Sequence, residues 1–255
     1  MNKILEYLGI IKRSDARKPF QVQLTLPGKQ DITTTEATQP ISAQKSKKVS
    51  ISYAITVHNE GAVYLEPLFQ QLLRHVGPED EIVVLDDFSD EPSTVATLEK
   101  YKGNFKFQQK ALNGNFGEHK NFLNALCTKK YIFQIDADEL LEAPFFLNIK
   151  QVMLANPQVE LFHVPRINTL DDITDEDIRL GRWGVDKKGW INSPDYQARI
   201  YKNIPEIKWE GRLHETITGQ AAYAFLPYDD ETYSIIHKKT KERWRKQDEF
   251  YKTLI

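Results

Sequence analysis

Tyr131-Ile132-Phe133-Gln134-Ile135-Asp136-Ala137-Asp138-Glu139 runs from an apolar strand straight into three acids. Residues two apart on an extended chain point to the same face, roughly 7 Å apart. Asp136 and Asp138 are therefore predicted to present two carboxylates side by side at the exposed end of a buried strand. Adjacent anions repel unless something positive sits between them, and a hard divalent cation carrying a phosphate is the usual solution. Taken alone, the pair suits a solvated loop at a strand end equally well.

The pattern upstream alternates. Ile51–Val57 is a continuous apolar run, as a strand buried on both faces requires, and Leu65, Leu68, Phe69, Leu72, Leu73 and Val76 mark one helix face. Glu81–Asp87 reads as a second strand ending in acids, Pro92–Tyr101 as a helix and Phe105–Gln109 as a third strand. Phe122, Leu123, Leu126 and Cys127 mark another helix before the strand at 131. Strands alternating with helices in short segments predict an α/β fold with a doubly wound, mostly parallel sheet flanked by helices. In such sheets ligands bind at the carboxyl ends of the strands. Three of these ends are polar, at His58-Asn59-Glu60, Asp86-Asp87 and Asp136-Ala137-Asp138, so they are expected to converge. After Glu139 the regularity weakens: strands are predicted at 159–164 and 199–201, with a long loop over 170–195 carrying one short helix. A terminal helix is predicted over 241–251.

The first 48 residues form a polar extension in this reading. Ile4, Leu5, Leu8 and Ile11 have helical spacing, which suits a short docking helix or a weakly helical tail. Residues 14–48 read as a mobile linker and the folded body begins near Val49, with 49–139 as a nucleotide-binding half and 140–255 as the acceptor side. At 255 residues the chain can bury roughly three quarters of its unfolded surface without cross-links. A single cysteine, Cys127, fits a reducing compartment, and a net charge of −2 gives no global bias towards nucleic acid or anionic membranes. No apolar run approaches the roughly 20 residues of a membrane span, and the start lacks a secretory signal pattern. A cytoplasmic protein, at most peripheral to a membrane, is expected.

Further residues give the acid pair company. Asn115-Phe116-Gly117-Glu118-His119-Lys120-Asn121 opens a helix: Gly117 permits close backbone approach, a helix start favours anions, and Lys120 offers a cation to phosphate. A capped helix with an exposed lysine is the plainer alternative. Asp86 can accept the imino hydrogen of a base such as uracil, or serve as a turn acid before Ser89. In Trp209-Glu210-Gly211-Arg212-Leu213-His214-Glu215, His214 offers a metal ligand and Glu215 a base or a partner to the ligands. Trp183, Trp190 and Trp209 suit sugar stacking or core packing. The basic segment 238–246 suits an anionic surface or nucleic acid, and equally a solvated helix face.

The order of these motifs resembles the family 2 glycosyltransferases of GT-A fold, within them the branch around lipopolysaccharide-core glucosyltransferases. The matching elements are Ile55–Glu60, Val84–Ser89, Asn115-Phe116-Gly117 with Lys120-Asn121, Asp136–Glu139, Gly189-Trp190, Pro194–Arg199 and His214-Glu215, together covering about 49–240. The resemblance implies that Thr56, His58, Asn59 and Glu60 line the nucleotide pocket and that Asp86 reads the base. It further implies that Asp136 lies near ribose and metal, that Asp138 binds the metal bridging the donor phosphates, and that His214 is a further ligand. Thr56 departs from the proline frequent in the opening strand, and the acid pair marking the base is not obvious. Asp195 and Glu215 are both candidates for that base, with a slight preference for Asp195. The expected activity is Mn2+- or Mg2+-dependent, inverting transfer of a sugar from a nucleotide-diphosphate donor, with a UDP-sugar as the expected donor. The acceptor is left open among saccharides, lipid-linked glycans, proteins and modified nucleic-acid bases. The competing readings are a catalytically silent nucleotide-sugar- or saccharide-binding module and a nucleotidyltransferase or phosphatase. The stretch after Val57 lacks the Gly-rich phosphate loop that a nucleotidyltransferase needs.

Overall fold

A computed structural model describes residues 19–27, 49–229, 231–241 and 244. The predicted N-terminal helix, most of the 14–48 segment and most of the predicted terminal helix lie outside the described residues.

The apolar runs form the strands they predict. β2 (Ile51–Val57), β3 (Glu81–Asp86), β4 (Lys106–Gln109) and β5 (Tyr131–Asp136) lie side by side in the order β5-β2-β3-β4, all parallel. Alternate residues of β2 serve two cores. Ile51, Tyr53 and Ile55 pack with Leu65, Leu68, Phe69 and Leu72 of α1 (Ala62–His75), Leu98 of α2 (Pro92–Tyr101), and Phe145 and Ile149 of α4 (Ala143–Ala155). Ala54, on the other face, packs with Leu123 of α3 (Phe116–Leu126) and with Trp209 and Ile217. Those two residues come from a hairpin of β9 (Lys208–Glu210) and β10 (Thr216–Thr218) that covers the sheet beside α3.

Beyond β5 the sheet continues through β8 (Asp195–Lys202), β7 (Leu161–Leu170) and β11 (Ala222–Phe225). β8 is antiparallel to both β5 and β7, and is the one reversed strand along this path. β12 (Ile235–Lys239) runs parallel to the second half of β7 and pairs with the short β6 (Glu139–Leu141). The predicted loop over 170–195 carries the expected short helix, α5 (Asp175–Gly181), closed at its start by a reciprocal Thr174–Asp177 capping box.

One stretch of the predicted linker is part of the sheet. Phe20–Gln21 forms β1, parallel to β11 at the edge, and Val22 donates from its backbone N–H to the Tyr223 carbonyl at 2.7 Å. Asn156 then brackets Thr25, bonding both its N–H (2.9 Å) and its carbonyl (2.8 Å). The cause is visible in Phe20-Gln-Val22-Gln-Leu24-Thr-Leu26, an apolar–polar alternation with the period of a strand. Val22 and Leu24 pack against the core.

At the sheet end away from the acids, Glu81 ties three strands. Its carboxylate accepts from Ser52 Oγ on β2 at 2.6 Å and from Thr128 N at 2.6 Å, and it pairs with Lys106 Nζ on β4 at 2.6 Å. Burial pushes this carboxyl up, but the Lys106, Ser52 and Thr128 donors outweigh it and bring it from 4.5 down to about 2. A depressed carboxyl contributes stability that is complete above its unfolded value and lost as pH falls through the folded one. Thermal melts of wild type should therefore lose stability between pH 4.5 and about 2. Glu81→Gln should show a shallower loss over that window and converge with wild type at its lower end; parallel melting curves would remove Glu81 from this role.

Candidate active site

The parallel strands end on a cleft of about 710 Å³, into which Thr56 from β2, Asp136 from β5 and the following Asp138 all project. The register sets this floor, because Thr56 is paired with Asp136. The extended geometry stops there: Ala137 and Asp138 form a turn rather than a further strand step. The two carboxylates consequently take different partners instead of standing side by side on one.

Asp136 is held by Arg199 of β8 through a two-pronged contact, Nη1 at 3.1 Å from Oδ1 and Nη2 against Oδ2. Burial alone would raise its carboxyl, but Arg199, with Lys120 and Arg166 beyond it, holds it well below the usual carboxylate range. The same Arg199 Nη2 donates to Glu139 at 2.7 Å. Glu139 is fully buried, and it also accepts the Asp136 backbone N–H at 2.9 Å and Arg166 Nη1 at 3.3 Å. Arg166 in turn forks onto Asp195, with Nε at 2.9 Å and Nη2 at 2.8 Å from Oδ2. Two guanidinium groups thus meet three carboxylates, Asp136, Glu139 and Asp195, and Asp138 adds a fourth acid beside them.

Asp138 faces His237 of β12, its Oδ2 lying 3.5 Å from Nε2, and both side chains are below 10 % exposed. His237 Nδ1 contacts Asn168 Oδ1 at 2.6 Å, and Asn168 Nδ2 donates to Asp195 at 2.8 Å. Among the described residues no three His, Cys, Asp or Glu side chains converge as a complete metal-ligand group. Asp136, Asp138 and His214 are therefore not brought together as such a set. A carboxylate oxygen and an imidazole nitrogen in a cleft with surplus negative charge do fit a divalent cation whose other ligands arrive with a diphosphate.

Elsewhere in the lining of the cleft, Lys120 Nζ lies 2.6 Å from Glu215 Oε1 and 4.4 Å from the Trp209 ring centre. Residues 211–215 are locked to the start of α3: the N–H groups of Phe116 and Gly117 donate to the carbonyls of Arg212 and Gly211 at 2.9 and 3.1 Å. A Cβ on Gly117 would collide with the Gly211 carbonyl, so only glycine allows this approach.

Residues 52–230 match the family model described as Glycosyl transferase family 2. The chain belongs to that family. Its mostly parallel sheet flanked by helices is the GT-A arrangement. The crystal structure of S. aureus TarS 1-349 in complex with UDP-GlcNAc superposes with a TM-score of 0.51 at 16% identity, covering 75% of this chain and 58% of that one. S. aureus TarS 1-349 crystallised alone gives 0.50 at 14%, covering 75% and 60%. At such identities the likeness is one of fold, and this family 2 chain spans less than two thirds of the TarS chain.

The family 2 motif residues divide into those that reach the cleft and those that build its walls. Thr56, Glu60, Lys120, Asp136, Asp138, His214 and Glu215 line it. Asn59, in the left-handed region at φ 59°, spends its amide on the loop after β3: Oδ1 accepts from Asp90 and Glu91 N–H groups and Nδ2 donates to Asp90. His58 Nδ1 lies 2.9 Å from the Asp87 carbonyl. Asp86 is 1 % exposed and accepts from Ser89 N, Ser89 Oγ and Gln109 Nε2, the turn role allowed as its alternative. The predicted anion site at the start of α3 is taken up by the 211–212 carbonyls and, at Glu118 N, by the Asn115 side chain. Asp195 lies behind the lining, held by Arg166, Asn168 and Gln197. Trp209 is buried beneath Lys120, and Trp183 packs edge-on against Trp244. In the basic segment, Lys238 pairs with Asp171 at 3.1 Å and Lys241 with Asp177 at 2.7 Å. Arg166, Asn168 and His237 were given no role from the sequence, and Arg199 was noted only as part of a family element and of a strand; the signal for the two arginines is a cation within or next to a predicted strand.

Removing one partner from a buried ion pair costs roughly 3–5 kcal/mol, because a charge is stranded. Arg199→Met should lose stability of about that order in urea unfolding, and Glu139→Gln added to it should restore part of the loss. An Arg199→Met protein as stable as wild type would show that the network does not hold β5 to β8.

Proposed function

We propose that the chain is a metal-dependent, inverting glycosyltransferase that uses a nucleotide-diphosphate sugar, with a UDP-sugar as donor. The observation that carries this reading is that the Asp138–His237 pair and the Lys120–Glu215 pair line one cleft in a chain of this family. TarS, solved with UDP-GlcNAc, supports the choice of uridine. The resemblance to lipopolysaccharide-core glucosyltransferases favours a saccharide hydroxyl as the acceptor.

Asp138 and His237 would hold Mn2+ or Mg2+, with His237 in the part that the family resemblance assigns to His214. A bound divalent cation supplies neutralising charge to the departing diphosphate. Glu215 takes the proton of the acceptor hydroxyl as that oxygen attacks the anomeric carbon, and a single displacement inverts the configuration. Lys120 fixes the Glu215 carboxylate in the cleft. Glu215 is preferred to Asp195 as base because it lines the cleft. Asp195 is already engaged by four donor atoms, Arg166 Nε and Nη2, Asn168 Nδ2 and Gln197 Nε2. Burial pushes the Asp195 carboxyl up, but Arg166 and these amides bring it down, which is the wrong direction for a base. Among the described residues no helix is long and apolar enough to cross a membrane, and the proposed reaction requires none.

The test is nucleotide release from a panel of nucleotide-sugars with Mn2+, followed by mass spectrometry of candidate saccharide acceptors. Glu215→Gln should lower transfer by about 10²–10⁴-fold while preserving the melting-temperature rise given by UDP with Mn2+. Asp138→Asn should lose both transfer and the Mn2+-dependent part of that rise. UDP binding without turnover on any donor would favour a silent binding module instead. Undiminished transfer in excess chelator would refute the metal role.

The reversal of β8 makes a further prediction about specificity of structure. Arg199→Lys keeps the charge but loses the planar fork. It should therefore retain more stability than Arg199→Met yet still weaken UDP–Mn2+ stabilisation, read as a smaller melting-temperature rise.

A further inference from the structure

We propose that Asn168 is a positioning residue: its side-chain amide, oriented by Asp195, fixes His237 as the Nδ1–H tautomer and so aims the free Nε2 lone pair at Asp138. The metal consequence of this rests on the proposed function; the tautomer itself does not.

Donors and acceptors pair off along one row of the sheet. Asp195 and Arg166 are register partners on β8 and β7, and Asn168 and His237 are register partners on β7 and β12. Asn168 lies two residues beyond Arg166, on the same face. An ionised carboxylate only accepts hydrogen bonds, and Asp195 is ion-paired with Arg166 at 2.8 Å. The group Asn168 turns towards it, 2.8 Å away, must therefore be the NH2. That leaves the amide oxygen facing His237 Nδ1 at 2.6 Å. A carbonyl oxygen only accepts, so Nδ1 carries the hydrogen. In a neutral imidazole the lone pair then sits on Nε2, which faces Asp138 Oδ2 at 3.5 Å.

The opposite tautomer is disfavoured at both ends. It would set the Nδ1 lone pair against the Asn168 oxygen at 2.6 Å, and its Nε2–H would have only a contact of 3.5 Å to Asp138, long for a hydrogen bond. With Nδ1–H in place, two acceptors face each other across the Asp138–His237 gap, which is the arrangement a cation resolves. Asp195 thereby acquires a role other than that of base: it acts on His237 through Asn168.

The experiment begins with the unmodified protein. Long-range 1H–15N correlation at a pH well above the ordinary histidine value of about 6.5 reads the tautomer directly, with His237→Gln assigning the resonance among the six histidines. The expected result is Nδ1–H; an Nε2–H tautomer in wild type overturns the proposal without any variant having to fold. Asn168→Leu should abolish the single tautomer and weaken Mn2+ binding, followed by the free-Mn2+ EPR signal with saturating UDP, by about 10–100-fold. The exchanged pair Asn168→Asp with Asp195→Asn keeps one carboxylate and one amide in the row. It should restore both the tautomer and Mn2+ affinity, which a merely structural role for Asn168 would not predict. Unchanged tautomer and affinity in Asn168→Leu would overturn the proposal. A fixed Nδ1–H tautomer in a protein that binds no Mn2+ would support the relay and defeat the metal reading alone.

Discussion

Two guanidinium groups stand between three carboxylates at the carboxyl end of the central strand, and the cleft depends on that arrangement. Without Arg199 and Arg166, the anions of Asp136, Glu139 and Asp195 would face one another in a site where Glu139 has no exposure at all. Well-packed apolar residues could give comparable stability in such a place, because desolvating ions is costly. What charges provide here is geometry. Glu139 accepts the backbone N–H of Asp136, so the network fixes the end of β5 and the direction in which the next two residues turn. Arginine suits the task because its planar fork engages two acceptors at once.

This requirement explains the reversed strand. Within a sheet otherwise parallel along its main path, β8 runs antiparallel between β5 and β7. Its first residue, Asp195, consequently lies at the same end of the sheet as the last residues of its neighbours. One strand delivers both an acid for Arg166 and, four residues later, the arginine for Asp136. A parallel strand would need those residues at its far end, after the chain had crossed the sheet. β8 pairs with β7 as far as Arg166, and β12 pairs with β7 from Arg166 to Leu170, which brings His237 into register with Asn168.

Most of the parallel half of the fold was readable because β2, β3 and β5 are buried on both faces and so become largely apolar runs, whereas the edge strand β4 is mostly exposed. Ile51–Val57 and Pro92–Tyr101 have the predicted limits. The outer half was harder. β9 and β10 are three-residue strands, too short for any period to show. β1 carried a visible alternation but sat among polar residues that suggested a linker. At the site, the residue types that announce chemistry were found and their partners were not. Asp136 and Asp138 are neighbours in sequence, whereas Arg199 and His237 reach them only through sheet register. The assumption that alternation continues through Asp138 failed for a local reason, since the chain turns after Asp136. The start of α3 misled in a different way. Its free N–H groups do attract acceptors, but the acceptors are the carbonyls of residues 211 and 212 rather than a phosphate.

That last substitution bears on how the proposed reaction is divided. The Asp138–His237 pair is built on the sheet, from the turn after β5 and from β12. The Lys120–Glu215 pair is built on the covering layer, from α3 and the loop that Gly117 admits. Each layer has its own rigid support: the arginine network beneath the first, the α3-to-loop hydrogen bonds behind the second. A single displacement needs the leaving group held on one side of the anomeric carbon and the proton acceptor on the other. The two proposed functions sit on separate layers, so their relative placement depends on how α3 and its hairpin pack on the sheet. Trp209 is the joint in that packing. It is buried in the core beneath the hairpin, carries Lys120 over its ring, and exchanges two backbone hydrogen bonds with the Asn121 side chain at 2.8 and 2.9 Å. Trp209, one of the rings suggested as a sugar platform, also lines the cleft, so the residue that packs the covering layer onto the sheet is part of the wall of the site.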